Sequence, residues 1–240
     1  MTASIDHLDA VILAGGLGTR LREVVSDVPK PLAPVNGRPF LDYQLAQLAR
    51  FPQIGKVVLA IGHMADKVIA HYRENPPPLP VEFVVERELL GTGGGLRNAL
   101  DATRGERILA LNGDSVFRWG LEPLIAAHLA ADALATLALV EVEDTSRYGA
   151  VTLDGAHVSA FVEKQAAAGA GAINAGVYLF ERSALAAIPA GKAVSLEREV
   201  FPRLSQQGRL AATVFRSQFI DIGLPQTYSA AGTILPGLTD

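Results

Sequence analysis

Leu13-Ala-Gly-Gly-Leu-Gly-Thr-Arg-Leu21, followed by Asp27-Val-Pro-Lys-Pro-Leu32, decides the reading of this chain. The residues before it, Ala10 to Ala14, form a short continuous apolar run, the pattern of a strand buried on both faces. That strand is predicted to lie centrally in a sheet and to pass directly into a glycine loop at Gly15-Gly16. Three glycines in four positions let successive backbone N–H groups turn toward an anion without obstruction by Cβ. In open parallel sheets ligands bind beyond the carboxyl ends of the strands, which is where this loop falls. Arg20 at the loop exit can span two phosphates with its planar guanidinium, and Lys30, framed by Pro29 and Pro31, adds a point charge. A tight strand-to-helix turn would also use glycines, but it has no need of those two cations. A Walker A loop requires Gly-Lys-Ser/Thr at its end, whereas Gly18 is followed by Thr19 and Arg20. A dinucleotide fingerprint starting at Gly16 needs its third glycine at position 21, which is Leu21.

Further apolar runs of the same kind occupy Lys56 to Ile61, Val81 to Val85 and Arg107 to Leu111. Between them, Leu41, Leu45 and Leu48 have helical spacing, and Met64 to Tyr72, Leu96 to Thr103 and Leu121 to Ala131 read as helices. Alternating strands and helices imply parallel pairing through right-handed crossovers, hence an α/β Rossmann-like layered fold with a mainly parallel sheet. After about Thr136 strands follow one another closely, at Ala135 to Val142, Ala150 to Leu153, His157 to Val162 and Ile173 to Phe180, so the sheet is expected to become mixed. Asn75 to Pro80 is a stiff surface connection, and Gln165 to Ala172, nearly all Ala and Gly, is expected to be a mobile loop. Neither marks a boundary, and residues 1–240 are read as one domain without internal repeats or an appended hexapeptide β-helix.

Composition narrows the function. The 240 residues are 49% hydrophobic and 19% charged, with 21 basic against 25 acidic side chains and a net charge of −4, which leaves no basic footprint for nucleic acid or an anionic membrane. The absence of Cys excludes disulfides, zinc-thiolate and iron–sulfur sites and thiol catalysis, and suits the cytoplasm. The start, MTASIDHLDA, lacks the cationic region of a secretory signal. The longest apolar stretch, Ala133 to Val140, falls far short of the roughly 20 residues that span a bilayer. The five His residues show no metalloprotease spacing and none is assigned to catalysis.

Two carboxylates stand out. Asp114 follows Asn112-Gly113 at the end of an apolar strand, and Asp221 sits in Phe219-Ile-Asp-Ile-Gly223, where an ionised carboxylate is costly unless paired or ligating. Such a pair suits Mg²⁺, with substrate phosphates completing its shell. Turn-capping is the alternative for Asp114, and a buried capping role for Asp221.

The segment Gly15-Gly-Leu-Gly-Thr-Arg-Leu21 with Pro29-Lys-Pro-Leu32 resembles the signature of sugar 1-phosphate nucleotidyltransferases, and later motifs extend the resemblance over most of the chain. The usual family pattern has Pro-Leu-Thr soon after the Arg-Leu pair, whereas this chain has Arg22-Glu-Val-Val-Ser-Asp27. With Lys30-Pro-Leu-Ala-Pro-Val-Asn-Gly-Arg-Pro-Phe40, that variant looks most like the D-glycero-α-D-manno-heptose 1-phosphate guanylyltransferase branch. The resemblance implies a nucleotide-diphospho-sugar transferase type of fold, with Leu13, Ala14, Gly15, Gly16, Gly18, Thr19 and Asn112 holding a nucleoside triphosphate. Arg20 and Lys30 would then stabilise charge as pyrophosphate leaves, and Asp114 and Asp221 would bind Mg²⁺. Leu90-Gly-Thr-Gly-Gly-Gly95, opening a helix near Leu96, resembles the loop that packs on base and ribose, with Gly91 and Thr92 as contacts. Read from the residues alone, it is a helix entry with free N–H donors. Glu86 and Glu88 either face the base or are exposed charges.

Arg147-Tyr-Gly149, Glu163-Lys164 and Asn174-Ala-Gly176 match motifs that face the sugar phosphate, through Tyr148, Gly149, Glu163, Lys164 and Asn174. Their plain alternatives are a core tyrosine, a solvated ion pair and a turn asparagine. A sugar phosphate oxygen is already anionic at neutral pH, so direct in-line attack on the α-phosphorus needs no nucleophilic side chain and no general base. The expected reaction joins GTP and D-glycero-α-D-manno-heptose 1-phosphate. The rivals are a UDP-sugar-forming enzyme such as an N-acetylmuramate 1-phosphate uridylyltransferase, because Thr92-Gly-Gly-Gly95 also resembles that branch, and a nucleotide-sugar binding module without turnover. Sequence does not reveal the oligomeric state.

Overall fold

The computed structural model describes residues 5, 7–21, 23–162 and 169–239. In chain order the elements are β1 (Leu8–Ala14), β2 (Pro34–Val35), β3 (Arg38–Pro39), α1 (Phe40–Leu48), β4 (Ile54–Ile61), α2 (Ala65–Glu74), β5 (Val81–Val85), α3 (Gly91–Ala99), β6 (Arg107–Asn112), β7 (Ser115–Phe117) and α4 (Leu121–Ala130). They continue with β8 (Ala135–Val142), β9 (Ala150–Asp154), β10 (His157–Val162), β11 (Gly171–Glu181), α5 (Arg182–Ala186), α6 (Phe201–Gln206), β12 (Leu210–Phe215), β13 (Phe219–Asp221), α7 (Pro225–Ile234) and α8 (Pro236–Thr239). A π-helical turn, Leu196–Val200, leads into α6.

Nine strands form one sheet in the order β5, β4, β1, β6, β11, β8, β12, β10, β9. The β4, β1 and β6 neighbours of the first half are parallel, as their spacing predicts. The sheet becomes mixed at β11, which runs antiparallel between β6 and β8. Side chains of β1 alternate between two cores. Leu8, Ala10 and Ile12 pack with Leu41 and Leu45 of α1, Val68 of α2 and Leu124 of α4. Val11 faces the opposite layer, with Leu96 and Ala99 of α3, Leu185 of α5 and Phe201 of α6. A third cluster joins Leu21, Val35, Phe40 and Val116 to Ile220, Ile222, Ala231 and Leu235, so the C-terminal helices fasten the glycine-loop region to the β7–β13 ladder. Among the described residues no helix is long and apolar enough to cross a membrane.

Two expectations need correction. The helix expected near Leu96 begins at Gly91, because the N–H groups of Gly93 and Gly94 find an acceptor in the Val194 carbonyl, at 2.9 and 3.2 Å. The segment expected to be a loop from Gln165 to Ala172 ends as strand: Gly171 and Ala172 pair with Val142 and Glu141. Positions 165–168 lie outside the described residues.

A buried polar cluster ties α4 to three strands. His128 is 1% exposed, with Nδ1 2.8 Å from Thr136 Oγ1 and Nε2 3.1 Å from Glu181 Oε1, which also accepts from Arg107 Nε at 2.6 Å. Burial pushes the imidazole below its ordinary value; nearby Arg107 pushes the same way, while Glu181 and Asp132 oppose both. The folded state therefore holds His128 neutral where the unfolded chain, titrating near pH 6.5, already takes up a proton, so stability is complete above that pH and falls as pH drops below it. His128→Gln is expected to reduce the fall in Tm between about pH 7 and pH 5.5 relative to the wild type, as read by thermal melts across that window.

Candidate active site

The site grows from the carboxyl edge of β4, β1 and β6. Leu13 O at the end of β1 accepts from Gly113 N at 2.9 Å, and a Cβ on Gly62, just after β4, would stand 2.7 Å from Gly15 O. Beyond Gly15 the chain turns through Gly18, at φ +61°, and Leu21 N closes the turn on Gly18 O at 3.0 Å. Among the described residues no hydrogen bond takes the N–H groups of residues 16 to 20. Unpaired donors of this kind are expensive when buried and useful when an anion meets them.

A cavity of about 520 Å³ opens over this turn. Its walls include Leu13 and Ala14 at the end of β1, Gly15, Gly16, Gly18, Thr19 and Arg20 from the loop, Lys30, Gly91 and Thr92, Asn112 at the end of β6 and Asp114 beyond it. Lys30 begins a short 3₁₀ turn, Lys30–Leu32, that packs beside Gly18. Its Nζ donates to Asp114 Oδ2 at 2.7 Å. The cation and the carboxylate assigned to different tasks thus meet directly, with Lys30 largely covered and Asp114 open to solvent.

Asp221 does not line the cavity, although Gly223 does. The β13 register sets Asp221 opposite Ser115, and Ile222 N bonds Asp114 O at 2.9 Å, so the two carboxylate residues belong to one ladder end. Asp221 Oδ1 accepts from Gly223 N at 2.8 Å, and Oδ2 accepts from the Tyr148 hydroxyl at 2.7 Å and Arg147 Nη2 at 3.4 Å. Burial and the neighbouring Asp221 hold the Tyr148 phenol above its ordinary value, so it stays a donor. Gly149 follows at φ +77°, its N–H on Thr145 O at 2.9 Å. Asn174 on β11 reaches the cavity wall indirectly: Asn174 Nδ2 and Asn112 Nδ2 both donate to the Tyr178 hydroxyl, at 3.0 and 3.4 Å. Glu163 and Lys164 lie outside the described residues.

A protein-family model described as Nucleotidyl transferase matches residues 9–235. The chain belongs to the nucleotidyl transferase family. Among curated relatives, a D-glycero-alpha-D-manno-heptose 1-phosphate guanylyltransferase of Aneurinibacillus thermoaerophilus is 33% identical, with 93% of this chain and 96% of the relative covered. A mannose-1-phosphate guanylyltransferase of Mycobacterium tuberculosis is 37% identical over 92% of this chain, which spans 63% of that longer protein. The crystal structure of HddC from Yersinia pseudotuberculosis complexed with GMP-PN superposes with a TM-score of 0.82 at 36% identity, covering 94% of this chain and 98% of that one.

For this nucleotidyl transferase, the glycine run after Leu90 acquires a packing explanation. Gly91 adopts φ +68°, a Cβ there would lie 2.7 Å from Val194 O, and a Cβ on Gly94 would collide with Lys192 O. The segment 192–194 therefore lies directly on α3, and the N–H groups of Gly93 and Gly94 are spent on Val194 rather than free for a ligand. Three functional neighbours escaped sequence reasoning. Gln44 of α1 braces the β6–β7 turn by donating to both Asn112 O and Ser115 O at 2.7 Å, and its only signal was a polar residue on an apolar helix face. Tyr178 had none, because it reads as core. Glu197 was visible only as part of Ser195-Leu-Glu-Arg-Glu199, a helix-start pattern. Glu86, read from sequence with two meanings, lies in the cavity wall against Gly15 and Gly95, where burial pushes its carboxyl above the ordinary range against a backbone hydrogen bond from Leu90. Gly94→Ala should cost about 1–3 kcal/mol by denaturant unfolding through collision with the Lys192 carbonyl, whereas the helix itself would tolerate alanine.

Proposed function

We propose that the protein transfers GMP from GTP to D-glycero-α-D-manno-heptose 1-phosphate, releasing pyrophosphate and forming the GDP-sugar. The observation that carries this reading is the convergence of loop N–H groups that find no acceptor among the described residues, Arg20, Lys30 and Asp114 on one cavity at the sheet's carboxyl edge. The near full-length match to a heptose 1-phosphate guanylyltransferase supports the choice of substrates. Cytoplasmic location follows from the supply of nucleoside triphosphate that such a reaction needs.

The attacking oxygen of the sugar phosphate carries its own charge, so the protein's work is alignment and neutralisation. Residues 16–20 offer N–H donors to the triphosphate, Arg20 binds its oxygens in a fork, and Lys30 supports the leaving pyrophosphate. Asp114 and Asp221 fit a Mg²⁺ ion as hard oxygen donors brought to one ladder end, and Asp114 already holds a cation in Lys30. When bound, Mg²⁺ neutralises triphosphate charge. Tyr148, Gly149, Asn174, Glu163 and Lys164 complete the sugar-phosphate side.

Guanine presents adjacent N1–H and N2–H donors, a match for the acceptor-only carboxylate of Glu86, whereas uracil presents one N–H between two carbonyls. Leu17 and Leu89, both exposed large apolar side chains on the cavity wall, offer faces for the base. Glu86 therefore favours the guanylyltransferase over the uridylyltransferase reading, and the glycine run that suggested the latter is explained by its contact with residues 192–194.

Pyrophosphate release with Mg²⁺ should be greatest for GTP with the heptose phosphate when GTP, UTP, CTP, ATP and dTTP are compared against heptose, mannose, glucose and N-acetylmuramate 1-phosphates. Asp221→Ala is expected to lower kcat by about 100-fold or more, and a wild-type rate in that variant would remove Asp221 from the metal site. Glu86→Gln should lower kcat/KM for GTP by about ten-fold and narrow the GTP-to-UTP preference. Nucleotide binding without release for any pair would establish the non-catalytic module instead.

A further inference from the structure

Glu197 sits in the π-helical turn Leu196–Val200, far in sequence from every motif that marks the reaction. The turn is capped without it: Ser195 Oγ accepts from Arg198 N at 3.3 Å, and Glu199 Oε1 accepts from Ser195 N at 2.8 Å. Glu197 is thus surplus to helix capping. Its Oε2 instead accepts from Thr92 Oγ1 at 2.8 Å and from Ser195 Oγ at 2.9 Å, while Thr92 Oγ1 receives Leu196 N at 2.9 Å. Both carboxylate partners are neutral hydroxyls, and Thr92 lines the nucleotide cavity.

The opposite part of the cavity wall carries its own polar group, built on Tyr178. Tyr178 is fully buried, and its phenol is held above the ordinary value first by burial and then by the charge of Glu197. The Tyr178 hydroxyl carries Asn112 and Asn174, and Asn112 Oδ1 is buried with no partner among the described residues. Glu197 with Thr92, and Tyr178 with Asn112 and Asn174, are therefore two polar groups that meet the same cavity, through Thr92 and Asn112. Hydroxyl, amide and carboxylate groups set together in this way match the alternating donors and acceptors of a neutral polyol.

We propose that Glu197 is a specificity residue that accepts hydrogen bonds from hydroxyls of the sugar and repels sugars bearing a carboxylate, with Thr92 positioning it from the nucleotide loop. The inference rests on the sugar 1-phosphate transfer proposed above and deepens it: the acceptor is a neutral, hydroxyl-rich sugar. A hydrogen bond to a half-buried charged acceptor discriminates against analogues that cannot make it, because the acceptor then loses a partner.

The test uses the intact protein, saturating GTP and Mg²⁺, with heptose 1-phosphate, its monodeoxy analogues and N-acetylmuramate 1-phosphate compared in wild type, Glu197→Gln and Glu197→Asp. Glu197→Gln should raise KM for the heptose phosphate about ten-fold while leaving that for GTP within about two-fold. The penalty should shrink for the deoxy analogue lacking the hydroxyl that Glu197 contacts, and relative activity with the acidic sugar should rise. Glu197→Asp keeps the charge but withdraws the carboxylate by one methylene, so it should show the same sugar-selective loss without the gain for the acidic sugar; it also serves if the Gln variant fails to fold. Equal effects on both substrates, or a lowered Tm with unchanged sugar KM and unchanged deoxy discrimination, would make Glu197 a structural brace and overturn the inference alone. Failure of the wild type to release pyrophosphate with any pair would overturn the transfer reading, and this inference with it.

Discussion

The architecture depends on how closely three loop backbones approach at one edge of the sheet. Strands β4, β1 and β6 are parallel neighbours, and each is followed at once by glycine: Gly62, Gly15 and Gly113. A Cβ at Gly62 would fall 2.7 Å from Gly15 O, and one at Gly113 would fall 2.7 Å from Leu13 O. Real Cβ atoms do not tolerate such distances, so larger residues would force the loops apart. Because they are absent, the glycine turn rests directly on the strand ends and lines the cavity. The floor of the site is therefore a consequence of parallel pairing plus three missing side chains.

Charge placement follows from that floor. Lys30 lies beside Gly18 and reaches across the cavity to Asp114, which leaves the β6 strand end on the other side. The ion pair spans 84 positions in sequence and keeps an ammonium close to an anion until a substrate with greater negative charge competes for it. Asp114 remains accessible, so the pair is poorly shielded and its contribution to stability is small, consistent with a role in presenting charges rather than in holding the fold. The site is held instead by the buried Gln44, which fixes two carbonyls of the β6–β7 turn, and by the half-buried Tyr148, which with Arg147 fixes the Asp221 carboxylate.

Local pattern made the first half legible. The β1, β4 and β6 runs are strands whose apolar continuity reports burial on both faces, whereas Val81 to Val85, an apolar run of the same kind, is a strand at the sheet edge with Glu82 and Val85 exposed; the loop after Leu13 declares its own geometry through Gly15, Gly16 and Gly18. Legibility fails where a residue's role depends on a distant segment. Gly91 to Gly95 read as a helix entry with free donors, because nothing nearby announces that residues 192–194 lie on top of them. Tyr178 carries no polar signal in a strand of Val, Leu and Phe, yet its hydroxyl joins Asn112 to Asn174. The apolar setting of Asp221 did signal a carboxylate needing partners, but not that Tyr148 and Gly223 would supply them.

The C-terminal segment completes what the glycine edge begins. Ile220 and Ile222, alternating with Asp221, pack with Val116 and with Leu21 and Phe40 from the opposite end of the chain, while Ala231 and Leu235 of α7 and its C-terminal flank cover them. The short β13 strand could not stand alone, since a two-stranded ladder of three residues has little stability of its own. Its register, and hence the position of Asp221 beside Asp114, is set by this apolar clasp, because a one-residue slip would turn both isoleucines outward and the carboxylate into the core. The carboxylate pair is therefore held in place by hydrophobic packing rather than by any interaction between the two acids, and the far ends of the chain must fold together before the site exists.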